Sequence, residues 1–272
     1  MRFSIPSLLT LLLFLSCEEA LEYNPLDPDN NPDFVEPETV ITVENLEGTT
    51  LDTSTVTITF AGNDGVVEYA YKLSDGDWSA WSADTSTTLS YIDDGDHIFS
   101  VKGRYMPGVE DETPATVNFS VDMVEGPGIR VYKLLTEMSV SAADSSGVST
   151  DSTQHVSIYA EEVEGLVVAK FQVKYNASML SLDIASVSKG NMFLGVTDIL
   201  FFTEEIGSGL LDVNLSVLGH NGVSGTGELI RLPFIPKATG TSTIEILNAE
   251  YSNITPSPIP IVDSVNGLVV IE

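Results

Sequence analysis

Three histidines, one cysteine and 40 carboxylates are the groups with which this chain of 272 residues could do chemistry. A covalent catalyst needs a nucleophile, a base and an orienting partner in mutual reach. A zinc centre needs cysteines and histidines at short, fixed spacings. Neither pattern is present. His97, His155 and His220 lie far apart, no His-x-x-x-His pair occurs, and no Gly-x-Ser-x-Gly elbow presents a serine. Neighbouring acids such as Glu161-Glu162 and Glu204-Glu205 arise by chance in so acidic a chain, so a glycosidase pair has no support. The run GVSGTG, 222–227, has the glycines of a phosphate loop but no helix after it to receive the phosphate. These residues point to a protein that binds and does not catalyse.

Two binding chemistries have candidate residues. Asp27, Asp29, Asn31, Asp33 and Glu38 fall at positions 1, 3, 5, 7 and 12 of an EF-hand-like calcium loop. Pro32 occupies the place that needs a glycine for the sharp turn, so calcium is weakly supported and no cofactor is expected. Trp78 and Trp81 could stack on sugar rings if exposed together. At a spacing of three in a strand, however, they point to opposite faces unless a bulge intervenes. The balance of 40 acidic against 11 basic residues, a net charge of −29, excludes nucleic acid, whose phosphates would be repelled.

The lone cysteine, Cys17, has no partner for an intramolecular disulfide. It follows Arg2 and an apolar run from Ile5 to Leu15, too short to span a bilayer. Phe14-Leu15-Ser16-Cys17 resembles the lipobox of bacterial lipoproteins. That resemblance implies a signal peptide over 1–16, cleavage before Cys17, and acylation of Cys17 as the lipid attachment. Two or three acyl chains, at about 0.8 kcal/mol per buried CH₂, anchor stably where one does not. Glu18 and Glu19 resemble the acidic signals of outer-membrane lipoproteins that reach the cell surface. Residues 17–38 are rich in proline and acid and read as an extended tether with a reach of roughly 65 Å.

From Thr39 the pattern becomes apolar/polar alternation broken by Asn-Asp-Gly and Asp-Gly-Asp turns. Seven short strands are expected over 39–122, including DWSAWS at 77–82, as an Ig/fibronectin-III-like sandwich. The segment EYAYKL to VKGRY resembles bacterial Ig-like modules, which implies a spacer. A Gly/Pro linker, 123–128, leads to a second all-β domain, 129–272, with LSLDIASVS (180–188) read as one strand and the glycines of 219–227 as a turn. Its many strands suit a jelly-roll better than an Ig domain.

The ordered residues of this second domain carry a specific resemblance. Ala169, Phe171, Val173 and Tyr175 alternate and Leu180 follows. Val187 and Gly190 come next, then Gly219, Gly222, Val223, Ser224, Gly225 and Gly227 before a strand ending at Phe234. Gly240, Thr241 and Ser242 form a later turn, and GLVVIE closes the chain. In this order and spacing the domain resembles a cohesin, a nine-stranded jelly-roll module that receives dockerins. The resemblance implies a dockerin-bearing partner, for example a polysaccharide-degrading enzyme, docked on one sheet face.

Alternation places Val167, Ala169, Phe171, Val173 and Tyr175 inside, and Lys170, Gln172 and Lys174 outside. In 210–218 it places Leu211, Val213, Leu215 and Val217 inside, and Asp212, Asn214 and Ser216 outside. These six outward residues form the expected partner-binding face, with two lysines as a steering feature on an acidic chain. The competing expectation is a surface lipoprotein that binds glycans directly, since the cohesin fold is itself related to carbohydrate-binding modules.

Overall fold

The computed structural model describes residues 33–105, 108–140, 154–219, 221–255 and 257–272. Cys17, the segment 1–16, the tether up to residue 32, three of the calcium-like positions (Asp27, Asp29, Asn31) and His220 lie outside the described residues. The described residues are all-β. Among the described residues the helical turns are two short 3-10 turns, Ile184–Ser186 and Asn191–Phe193. No described helix is long and apolar enough to cross a membrane.

The first strands are β1 (Thr39–Ile41), β2 (Thr49–Leu51), β3 (Val56–Gly62), β4 (Glu68–Leu73), β5 (Ser86–Leu89), β6 (Gly95–Arg104) and β7 (Ala115–Val121). They form a three-stranded sheet, β1-β3-β5, and a four-stranded sheet, β2-β7-β6-β4. Phe60 of β3 packs its ring 6.4 Å from Phe99 of β6 and 5.1 Å from Tyr69 of β4, with offset and tilted geometry favoured by aromatic quadrupoles. Alternation in β6 buries Phe99, Val101 and, just beyond the strand, Tyr105.

The next strands are β8 (Gly128–Tyr132), β9 (Leu135–Met138), β10 (Gln154–Leu166), β11 (Val168–Lys174), β12 (Leu180–Leu182), β13 (Ser188–Lys189) and β14 (Ile199–Gly207). They are followed by β15 (Leu210–Val217), β16 (Val223–Pro236), β17 (Gly240–Ser252), β18 (Pro258–Ile259), β19 (Asp263–Val265) and β20 (Gly267–Ile271). One sheet runs β12-β16-β10-β8-β19, with β13 also on β16. The other runs β14-β15-β11-β17-β20-β9, with β18 on β17. Their facing sides share one apolar core: Ile129, Val131, Ile158 and Phe234 from the first meet Phe171, Val173, Val213 and Leu215 from the second. This is a jelly-roll sandwich.

By Cα proximity the described residues up to Glu44 group with Thr59–Thr87 and Ile98–Val117. The second compact unit is Asn45–Ile58, Thr88–His97 and Asn118–Glu272.

Three local expectations need correction. Residues 77–81 are irregular, with a single bridge from Ser82 to Tyr69, so DWSAWS is not a strand. The segment 180–188 is broken into β12, a 3-10 turn and the start of β13. The glycines of 222–227 do not form a long turn: β16 begins at Val223, with Gly225 opposite Val163 and Gly227 opposite Ala160. The register with β10 shifts between Ala160, Val163 and Leu166, and Gly225 at φ +100° takes a backbone angle that side chains disfavour.

The outward side of β8-β10-β16 is unusual for a sandwich, because three charged residues are buried there. Arg130, Glu161 and Glu228 are 5, 6 and 4 % exposed. Burial of a charge is tolerated when it is paired and hydrogen-bonded. Arg130 pairs with Glu161, which accepts a 2.7 Å bond from Thr226. Glu228 accepts bonds from Ser157 at 2.6 Å and from Arg231 at 3.0 and 3.1 Å. Burial alone would raise the Glu228 carboxyl, but Arg231 and Ser157 outweigh it and hold the group below its ordinary 4.5. A depressed carboxyl stabilises the fold above its unfolded value, and that contribution is lost as pH falls through the folded one. Glu228→Gln is therefore expected to lower the melting temperature at pH 7 by roughly 2–4 °C, about 1 kcal/mol. The gap to the parent should close below pH 4.5; a gap that persists in thermal melts at acid pH contradicts this.

Candidate partner-binding face

The six expected face residues come together on the second sheet. β11 and β15 are antiparallel, with Lys170 opposite Asn214, Gln172 opposite Asp212 and Val168 opposite Ser216. Directly opposed residues share a side of the sheet, so all six project outward together. Their inward neighbours Ala169, Phe171, Val173, Leu211, Val213, Leu215 and Val217 are buried. Val167 departs from the expectation: it precedes β11 and is half-buried.

The outward residues are tied to one another. Asn248 donates to Gln172 Oε1 at 2.8 Å, and Gln172 Nε2 donates to Asp212 Oδ1 at 3.2 Å. Asn214 Nδ2 donates to Asp212 Oδ2 at 2.7 Å. This polar chain crosses β17, β11 and β15 and fixes side chains that would otherwise lose rotamer entropy on docking. Asn248 sits where the β11–β17 register shifts, at φ +50°. Lys174 pairs with Glu245 at 3.0 Å; the lysine side chain is 54 % exposed, so the pair adds little stability. Lys170 is exposed, with Glu250 and Asn214 as its register neighbours. Carboxylates of Glu204, Asp212, Glu245 and Glu250 share this sheet region with the lysines, so the face is of mixed sign and not a cationic patch.

Sequence reasoning missed the apolar part of this face. β14 is the edge strand of the sheet, with Leu200 opposite Ser216 and Phe202 opposite Asn214. Leu200 and Phe202 therefore project on the same side as the six polar residues, and Phe202 is 63 % exposed. The signal was present as ILFF, an apolar run where a half-buried strand should alternate. At the inner side of the same hairpin, Tyr175 donates to Glu205 Oε1 at 2.7 Å. Burial and that carboxylate push the Tyr175 phenol above its usual range.

The other candidates are dispersed. His97 bonds through Nε2 to the carbonyl of Asp93 at 2.7 Å, and His155 is exposed on β10. Glu161 is paired internally, whereas Glu204 and Glu205 lie on β14. Among the described residues no group of three His, Cys, Asp or Glu could hold a metal. Trp78 and Trp81 do not point to opposite faces, because the segment that carries them is not a strand. Lys102 Nζ lies 5.0 Å from the Trp78 ring and 5.3 Å from the Trp81 ring, and Arg104 Cζ lies 4.3 Å from Trp81. Lys72 Nζ adds a further contact to Trp78 at 5.5 Å. The rings form a cation–π ladder with their own chain, each contact worth about 0.5–1 kcal/mol at an exposed site.

No protein-family model matches the chain. No curated protein matches it. Solved structures similar to it include a non-cellulosomal cohesin from Archaeoglobus fulgidus, 16 % identical, covering 53 % of this chain and 90 % of that one, with a TM-score of 0.42. Another is the sixth cohesin of scaffoldin B from Acetivibrio cellulolyticus in complex with a Cel5 dockerin mutant, 19 % identical over 54 % of this chain and 100 % of that one, TM-score 0.42. A third is a type I cohesin–dockerin complex, Coh-OlpA-Doc918, from Clostridium thermocellum, 14 % identical over 53 % of this chain and 99 % of that one, TM-score 0.40.

Proposed function

We propose that this chain is a lipid-anchored, non-catalytic adaptor of the cell envelope whose second domain captures a dockerin-type protein. In this reading Cys17 carries the lipid, 17–38 is the tether, 39–122 the spacer and 129–272 the cohesin-like receptor. The partner class comes from the ordered residues between Ala169 and Ser242, and a polysaccharide-degrading enzyme held at the outer surface is the intended cargo. The observation that carries the docking reading is the outer face of β14-β15-β11-β17. There an exposed aromatic, Phe202, stands beside a pre-bonded polar chain on a rigid sheet. Interfaces concentrate their energy in such aromatic anchors ringed by satisfied polar groups.

The test is capture of secreted proteins by the detergent-solubilised chain, against a Lys170→Glu/Lys174→Glu variant. A dockerin-bearing protein is expected with the parent chain. Reversing both charges changes the face by four units and is expected to weaken capture about tenfold or more, with a shallower salt dependence. Recovery of no dockerin-bearing protein, or equal recovery by the variant, counts against the reading.

A further inference from the structure

The same sandwich carries a groove of about 570 Å³ on β8, β10 and β16 that reaches β9 at the end of the other sheet; its lining includes Tyr132, Lys133, Glu137, His155, Tyr159 and Arg231. We infer that this groove is a second binding site, for an oligosaccharide of mostly neutral sugars that bears an occasional uronate. The site is distinct from the partner-binding face and does not depend on it.

Two tyrosines line the groove side by side. Tyr132 of β8 and Tyr159 of β10 have ring centroids 4.8 Å apart at 44°. The Arg130 guanidinium lies 5.1 Å from one ring and 5.3 Å from the other. Arg130 is itself locked by Glu161, so the rings are fixed before any ligand arrives. A fixed aromatic floor costs little entropy on binding and offers apolar area to the C–H face of a pyranose.

The polar groups around that floor select the ligand. Arg231 gives Nε and Nη2 to Glu228, and its side chain is half exposed, so the guanidinium is held in place while part of it remains accessible. Lys133 and His155 are exposed in the lining and make no ion pair among the described residues. Glu228 is committed to Arg231 and Ser157, which leaves Glu137 as the exposed carboxylate. Two of only 11 basic residues thus line one groove of a chain that carries 40 acidic ones. Guanidinium and ammonium donors suit a carboxylate. The charge of −29 repels a dense polyanion, which favours sparse uronates over a continuous polyuronide.

The test is titration calorimetry of the full chain in detergent with aldotetraouronic acid, a xylotriose that bears one glucuronic acid. Saturable binding is expected, with xylotriose at least tenfold weaker, equivalent to about 1.4 kcal/mol. Tyr159→Ala and Arg231→Ala are each expected to weaken binding tenfold or more. Arg231 also holds Glu228, so Lys133→Ala at an exposed position provides an independent variant, expected to weaken binding about threefold or more with an unchanged melting temperature. The Lys170→Glu/Lys174→Glu chain should bind the sugar like the parent, which separates this site from partner capture. No saturable binding, equal affinity for xylotriose, or affinity unchanged by Lys133→Ala and Tyr159→Ala overturns the inference.

Discussion

Phe202→Glu is expected to weaken capture of the proposed dockerin-type partner by about thirtyfold or more, while the melting temperature stays within a degree or two of the parent. The side chain is 63 % exposed on the edge strand β14, so the free protein loses little packing when it is replaced. In the complex the same ring would be desolvated beside Asn214 and Asp212, and a glutamate there would be buried without a partner. Truncation of a central aromatic commonly costs 2 kcal/mol or more, and a buried unpaired charge adds to that. Calorimetric titration of the captured partner into both chains measures the ratio. A Phe202→Glu chain that binds with undiminished affinity would remove this strand from the interface.

Phe171→Ala acts through the fold instead. Phe171 is 1 % exposed, lies opposite Val213 in the β11–β15 register, and belongs to the core shared by both sheets. Its removal leaves a cavity that the flanking strands only partly refill, at a cost of roughly 3–5 kcal/mol. For a unit of this size that corresponds to a drop of about 6–20 °C in the melting transition. Differential scanning calorimetry of the full chain reads it directly. A shift of less than a degree would mean that Phe171 is not a core residue, and the inside/outside assignment of β11 would fail with it.

How far the sequence foretold this arrangement depends on the strand. In β11 and β15 one side is fully buried, so alternation is strict and by itself sorts each inward residue from each outward one. β14 is different. As an edge strand it buries Ile199 and Phe201 only in part and leaves Leu200 and Phe202 outside, so apolar residues occupy both sides and the period disappears. The exposed aromatic Phe202 was hidden for that reason. The glycines of 222–227 suggested a turn because glycine is most often punctuation, yet here they serve register shifts inside β16. Trp78 and Trp81 depart in the opposite sense: period-two alternation holds only within a strand, and their rings are held by Lys102 and Arg104 and not by a ladder. The groove over β8, β10 and β16 could not be read locally at all. It depends on pairing β8, β10 and β16, which brings Tyr132, Tyr159 and Arg231 together from positions up to 99 residues apart.

Hydroxyl-radical footprinting of the chain with and without its captured protein asks most directly where docking occurs. Leu200 and Phe202 are expected to lose most of their reactivity in the complex, while Trp78 and Tyr159 keep theirs. Full reactivity of Leu200 and Phe202 in a saturated complex would contradict the assignment of the β14-β15-β11-β17 surface as the docking face.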